Sequence, residues 1–187
     1  LMRGSLMNRY TNLWNNNYYV LYGKNLGAPR DSKIFECKEK IIIRQTSDKI
    51  IATIITENII CRKNLHILIS EMVDHRFILG VLNSKLTNFY YQQINPEKGE
   101  VLAEVKKTHV EQLPIPKITS ENQQLHDDLV KLVEQMLKAK KEEQSAQSDH
   151  EKNLYKNLTD SLDYKINNLV YKLYNLTPEE IDLVENS

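Results

Sequence analysis

Apolar residues change their spacing along the chain, and each change marks a different kind of element. Over residues 1–70 they come in short, β-branched or aromatic runs. These are residues 18–22 (YYVLY), 40–45 (KIIIRQ), 50–56 (IIATIIT) and 65–70 (LHILIS), and each predicts a strand. Polar breaks separate them at residues 23–31, 47–49 and 62–64. The isoleucine runs do not alternate with polar residues, which points to strands buried on both faces. From residue 75 the period becomes helical: Phe77, Ile78, Val81, Leu82, Leu86, Phe89 and Tyr90 recur at three and four. Residues 95–99 (NPEKG) read as a turn, and residues 101–110 fit either a strand or a short helix. Leu113-Pro114-Ile115-Pro116 cannot lie inside a helix, because proline removes a donor and restricts the residue before it. That stretch reads as an extended connector closing the first domain.

Two long amphipathic stripes follow. One carries Leu125, Leu129, Leu132, Val133, Met136 and Leu137, with Ser120 and Gln123 placed as cap and partner. The other carries Leu154, Leu158, Leu162, Ile166, Leu169, Val170 and Leu173. The polar residues 144–149 between them make the pair an antiparallel helical hairpin. Asn175 suits the left-handed position that ends the second helix, and Thr177-Pro178-Glu179-Glu180 starts a short third one. Ile181 and Val184 would dock that helix on the pair. The expectation is an α+β protein: a mixed α/β lobe over residues 1–118, then a helical region over 119–187. Leu1 to Ser5 (LMRGS) reads as a cloning remnant ahead of a piece of a longer protein.

The net charge is zero, but the two regions differ. Residues 1–118 hold 17 lysines and arginines against 11 acids, a net of +6, and residues 119–187 hold 8 against 14, a net of −6. A basic lobe joined to an acidic helical region points to a polyanion as partner of the lobe. No apolar run is long enough to span a bilayer and no secretory leader is visible, so the expected location is the cytoplasm, with no membrane partner. Cys37 and Cys61 then read as buried, reduced thiols.

Three basic, polar clusters interrupt the strand region: Arg44, Gln45, Thr46, Ser47 and Lys49; Arg62, Lys63 and Asn64; and Lys106, Lys107, Thr108 and His109. Each stands at the end of an apolar segment, where a loop projects. Arg and Gln have the donor geometry to pair with guanine and adenine edges, while Lys, Ser and Thr suit phosphates. An ordinary solvated turn has the same composition, so convergence in space must separate the two readings. Catalytic chemistry is not visible. No Gly-rich loop follows a strand, the five histidines are scattered without metal spacing, and the Asn/Asp-Pro-Pro-Tyr/Phe loop that holds a flipped adenine is missing. No metal and no catalytic residue are expected in this segment.

Four stretches in order carry a family resemblance: residues 40–45 (KIIIRQ), 78–91 (ILGVLNSKLTNFYY, with Leu82-Asn83-Ser84), 105–118 (VKKTHVEQLPIPKI) and 169–181 (LVYKLYNLTPEEI). With these the chain resembles the TaqI-like C-terminal specificity domain of adenine-specific DNA methyltransferases and of fused restriction–modification enzymes. It departs from the pattern at Asn167, where relatives carry Asp, and at Asn175, where Gly is usual. The resemblance implies a target-recognition domain that docks in the major groove of double-stranded DNA. It also implies a separate methyltransferase or endonuclease domain of the parent chain, which would bind S-adenosylmethionine and perform the chemistry. The competing reading is an assembly module whose helices scaffold partner subunits, as in type I specificity subunits. A remnant nuclease lacks a compact acid–acid–lysine set. For Asn83 and Ser84 the favoured role is structural, bonding backbone from a neighbouring loop.

Overall fold

The computed structural model describes residues 1–97, 99–100 and 103–187. Among them are seven α-helices and two small antiparallel sheets, an α+β fold. The chain opens with a 3-10 turn (Gly4–Leu6) and a two-residue hairpin, β1 (Met7–Asn8) and β2 (Thr11–Asn12). After the irregular residues 13–32 comes the short helix α1 (Lys33–Glu36), followed by β3 (Lys40–Arg44), β4 (Ala52–Ile55) and β5 (Leu65–Leu68). The helices α2 (His75–Leu82), α3 (Lys85–Ile94), α4 (Lys107–Val110), α5 (Gln123–Ser145), α6 (Asp149–Leu173) and α7 (Pro178–Glu185) complete the chain.

The main sheet has the order β4-β3-β5 and is antiparallel throughout, with Ile42 of β3 paired to Thr53 on one side and Ile67 on the other. Strand β3 lies at the centre, and Ile41, Ile42 and Ile43 are all inaccessible to solvent. Successive side chains point to opposite faces. Ile41 and Ile43 therefore enter one core with Phe77, Leu79, Val133 and Ile166, while Ile42 enters a second with Met2, Met7, Phe35 and Cys61. This is the two-sided burial that the isoleucine run implies.

Lys40, at the start of β3, is fully buried without a carboxylate partner. Its ammonium donates instead to the carbonyls of Phe35 (3.0 Å), Cys37 (3.1 Å) and Glu57 (3.0 Å). Two of these oxygens lie at the C-terminal end of α1, where orphan carbonyls need donors.

The long stripe over residues 75–93 is two helices rather than one, broken at Asn83-Ser84. Ser84 caps α3 by accepting from Thr87 N, and Asn83 ends α2. The Asn83 amide reaches across to the free edge of β4, taking Ala52 N–H on Oδ1 and giving Nδ2–H to Ala52 O, both at 3.0 Å. Asn88 Oδ1 accepts from Ile50 N at 2.8 Å. Two side-chain amides thus satisfy an edge that would otherwise present unpaired groups. The role of Asn83 is structural as expected, though its partner is a strand edge rather than a loop, and Ser84 serves its own helix junction.

Helices α5 and α6 form the hairpin, joined by residues 146–148, a tighter link than residues 144–149. Ser148 and Glu151 make a capping box on α6, as Thr177 and Glu180 do on α7. Asn175 has φ 53°, with Leu176 N–H bonded to Tyr171 O and Asn175 N–H to Lys172 O, a Schellman ending. Asn167, the other departure from the family pattern, is buried and accepts from Lys85 N at 2.8 Å. The buried side of the hairpin (Leu129, Val133, Met136, Leu162, Ile166, Val170) belongs to the same core as α2 and the sheet, so this core crosses residue 118.

Several expectations are corrected. Residues 18–22 form no strand: no ladder pairs this run with another segment. Ser120 does not cap α5, which begins at Gln123 after Asn122; Asn122 instead accepts from Thr119 N and donates to Lys117 O. Leu1 to Ser5, read as a cloning remnant, packs into the fold: Met2 is fully buried, its N–H bonds Ile60 O, and its carbonyl accepts from Arg62 N. Cys61 is buried but Cys37 is only partly so, and both are free. Within residues 101–110 the outcome is an isolated bridge between Thr46 and Glu104 and then α4. Lys98 in the expected 95–99 turn, and Val101 and Leu102, lie outside the described residues.

Candidate nucleic-acid interface

The three basic clusters, up to about sixty residues apart in sequence, meet at one end of the main sheet. Gln45, just past β3, donates its N–H to Asn64 O at 3.1 Å and accepts from Val105 N at 2.6 Å. Asn64 precedes β5 directly, and Val105 precedes Lys106. His66 strengthens the junction, with Nε2 2.6 Å from Val105 O. Backbone pairing therefore holds the segments 44–46, 62–65 and 104–106 side by side.

The individual side chains differ. Arg62, Lys63, Lys106, Lys107, Thr46 and Lys49 are exposed, and Arg44, Gln45, Asn64 and His109 are partly buried. Arg44 turns back into the protein. Its stem packs on Gly4, and Nη2 donates to Met7 O and, at 3.1 Å, to Asn8 Oδ1. Burial holds its guanidinium pKa below the ordinary arginine value. It fastens the N-terminal segment to the end of β3.

Gln45 Nε2 donates to Glu104 Oε2 at 3.2 Å. Lys106 pairs with Glu97 at 2.5 Å, which lowers the Glu97 carboxyl and raises the lysine, and Lys107 pairs with Glu111 at 3.3 Å. These exposed pairs are weak enough to exchange for a stronger anion. The ring of His109 lies edge-on to Tyr91, 6.2 Å between centroids, and its Nδ1 is buried without a partner. Lys49 faces elsewhere, lining a cleft of about 780 Å³ between the β1–β2 hairpin and α5–α6. That cleft has a balanced lining, with Arg9, Lys49, Lys85 and Lys140 against Asp48, Glu143, Asp160 and Asp163.

Sequence reasoning missed two arginines beside the junction. Arg30 Nη2 donates to Leu65 O at 2.9 Å and to Lys63 O at 3.4 Å, holding the 63–65 turn. Arg3 stacks over Tyr18, 4.2 Å from the ring centroid. Arg3 lay in the segment read as a cloning remnant, and Arg30 in a glycine–proline loop with no periodicity to flag it.

Among the described residues no group of three or more His, Cys, Asp or Glu is arranged to hold a metal ion. No described helix is long and apolar enough to cross a membrane. Residues 1–115 match the model of the family described as the TaqI-like C-terminal specificity domain. No curated protein matches the chain.

Proposed function

The chain belongs to the family of TaqI-like C-terminal specificity domains, and we propose that its sheet-end junction is the surface that reads a DNA duplex for a restriction–modification or adenine-methylating enzyme. The observation that carries this reading is convergence: three basic loops are pinned together by the Gln45–Asn64 and Gln45–Val105 backbone bonds. Solvated turns of the same composition have no reason to share one edge.

In this reading Arg62, Lys63, Lys106 and Lys107 take phosphates, which orients the lobe without specifying sequence. Gln45, Thr46 and Asn64 lie between them, and the two amides carry the paired donor and acceptor that reads an adenine edge. Arg44 acts as a strut, holding Gln45 in place from behind, and His109 supports α4 through Tyr91. Lys49 serves the cleft and not the duplex. Methyl transfer, S-adenosylmethionine and any strand cleavage belong to a separate domain of the parent enzyme.

The assembly reading is weaker, because most of the α5 and α6 stripes pack on the chain's own core, only Leu154 and Leu158 among them being exposed. The test is duplex binding by fluorescence anisotropy between 50 and 200 mM salt. Arg62→Ala/Lys63→Ala and Lys106→Ala/Lys107→Ala should each lower affinity for every duplex and flatten the salt slope by about one to two units. The unfolding midpoint should stay unchanged, since all four side chains are exposed. Binding that ignores these substitutions would sink the proposal.

A further inference from the structure

Residues 13–32 are the longest stretch of the lobe's described residues without helix or strand, and they contain Lys24 and Arg30 against the single acid Asp31. Within them Tyr19 and Leu21 are exposed, while Val20 and Tyr22 are partly buried. Tyr18 lies under Arg3, its carbonyl accepts from the Leu1 ammonium, and Tyr22 packs edge-on against Phe35, 6.0 Å between centroids. Tyr22 also donates to Arg30 O, and Arg30 in turn holds the Lys63–Leu65 turn. Tyr19 and Leu21 are 76% and 80% exposed. Trp14 steadies the Tyr19 ring edge-on at 6.3 Å.

Two large apolar side chains are thus presented on a tethered segment. The tethers lead to the basic junction: Arg3 follows Met2, whose carbonyl bonds Arg62 N. An apolar pair on a segment tied through Tyr18 to Arg3, and through Met2 to Arg62, is complementary to a polyanion that also has apolar surface. A duplex has both, phosphates outside and thymine methyls or base faces within the groove.

We propose that Tyr19 and Leu21 are a second, apolar reading element, pressed against base edges when Arg62 and Lys63 hold the phosphates. This rests on the DNA reading above and adds specificity-determining residues to it. The pair contributes to discrimination among sequences and little to general affinity.

The experiment starts with duplexes selected from a random pool by the 187-residue chain. Affinity is then measured for a selected duplex and for a scrambled one, as a function of salt. Tyr19→Ser/Leu21→Ser should reduce the ratio of the two affinities by about tenfold or more, the scale of one lost base-pair contact. Its scrambled-duplex affinity and salt slope should match the parent's. Tyr19→Phe/Leu21→Met, which keeps the apolar surface, should retain the ratio. Thermal unfolding should not shift in either variant. If the serine variant keeps the parental ratio, or loses both affinities equally, the inference is overturned, and retained discrimination would leave the patch to a protein partner. If the unaltered chain selects no sequence and shows no salt dependence, the DNA reading fails first and takes the inference with it.

Discussion

At the residue scale, the informative positions are polar groups in apolar surroundings. Asn83 matches both outward backbone groups of Ala52, whose carbonyl also accepts from Tyr10 N at 3.0 Å. In Asn83→Ala the carbonyl keeps one partner but the Ala52 N–H is left buried and unpaired. A buried orphan costs about 1–3 kcal/mol, so urea unfolding should show a loss of roughly 2 kcal/mol. Asn83→Asp should be no better, because it sets a carboxylate against the Ala52 carbonyl. A second residue-scale prediction concerns alkali. Burial raises the Cys61 thiol to about 11 from an ordinary 9, and raises the Tyr10 and Tyr171 phenols above their ordinary 10, with Glu185 beside Tyr171 adding to the effect. These groups stay protonated in the native state where the unfolded chain has already lost the proton. Their stabilisation is whole below the unfolded pKa and is lost as pH rises through the folded one. Stability should therefore decline from pH 9 through Cys61 and more steeply above 10, by about 1.4 kcal/mol per pH unit for each group in its window. Lys40 opposes this: burial lowers its pKa, so its cost is relieved as pH rises toward 10.5. Urea midpoints at pH 8, 9.5 and 10.5 should fall in the parent, and Cys61→Ala should move the onset up to about pH 10. A flat profile would contradict the argument.

At the scale of elements, α2 and α5 approach closely over Gly80. A Cβ there would sit 2.9 Å from Val133 Cγ2 and 3.0 Å from Leu129 Cδ1. Alanine gains about 1 kcal/mol of helix propensity, yet overpacking costs about 1–3 kcal/mol, and both contacts are buried side chains that cannot swing away. Gly80→Ala should be net destabilising, and Val133→Ala should be less harmful in its presence than alone, a coupling that a double-mutant cycle detects. Periodicity exposed most of the elements because each obeys a local rule: β3 through its Ile run, α5 and α6 through their stripes, α7 through Thr177-Pro178. It missed what depends on distant partners. The break at Asn83-Ser84 exists because Asn83 is needed at Ala52, thirty-one residues away in sequence. The run at 18–22 has strand composition, yet no ladder pairs it with another segment. For the site, the clusters were visible as composition, but the inward turn of Arg44 was not, because Met7 and Asn8 supply its acceptors through a hairpin that no local pattern announced.

At the scale of the whole molecule, the charge split at residue 118 and the packing disagree about where a boundary lies. The basic excess is confined to 1–118, and the family match ends at residue 115. The core ignores both limits: Leu129, Val133, Met136, Leu162, Ile166 and Val170 complete the burial of Phe77, Leu79 and Val81 and of the inward face of β3. The hairpin is thus the second wall of the α/β lobe. A chain cut after residue 118 loses that wall. Domains this small have little burial to spare, and removing one whole side of a core exceeds the margin of about 5–15 kcal/mol that holds a domain folded. Residues 1–118 alone should keep helical far-ultraviolet dichroism from α2 and α3, bind a hydrophobic dye such as ANS, and unfold without a cooperative transition. A sharp, dye-silent transition in the truncated chain would show that the lobe stands by itself. The same truncation should abolish selective duplex binding even though all of the proposed contact residues remain, because the Gln45–Asn64–Val105 junction is held only while the sheet behind it is packed.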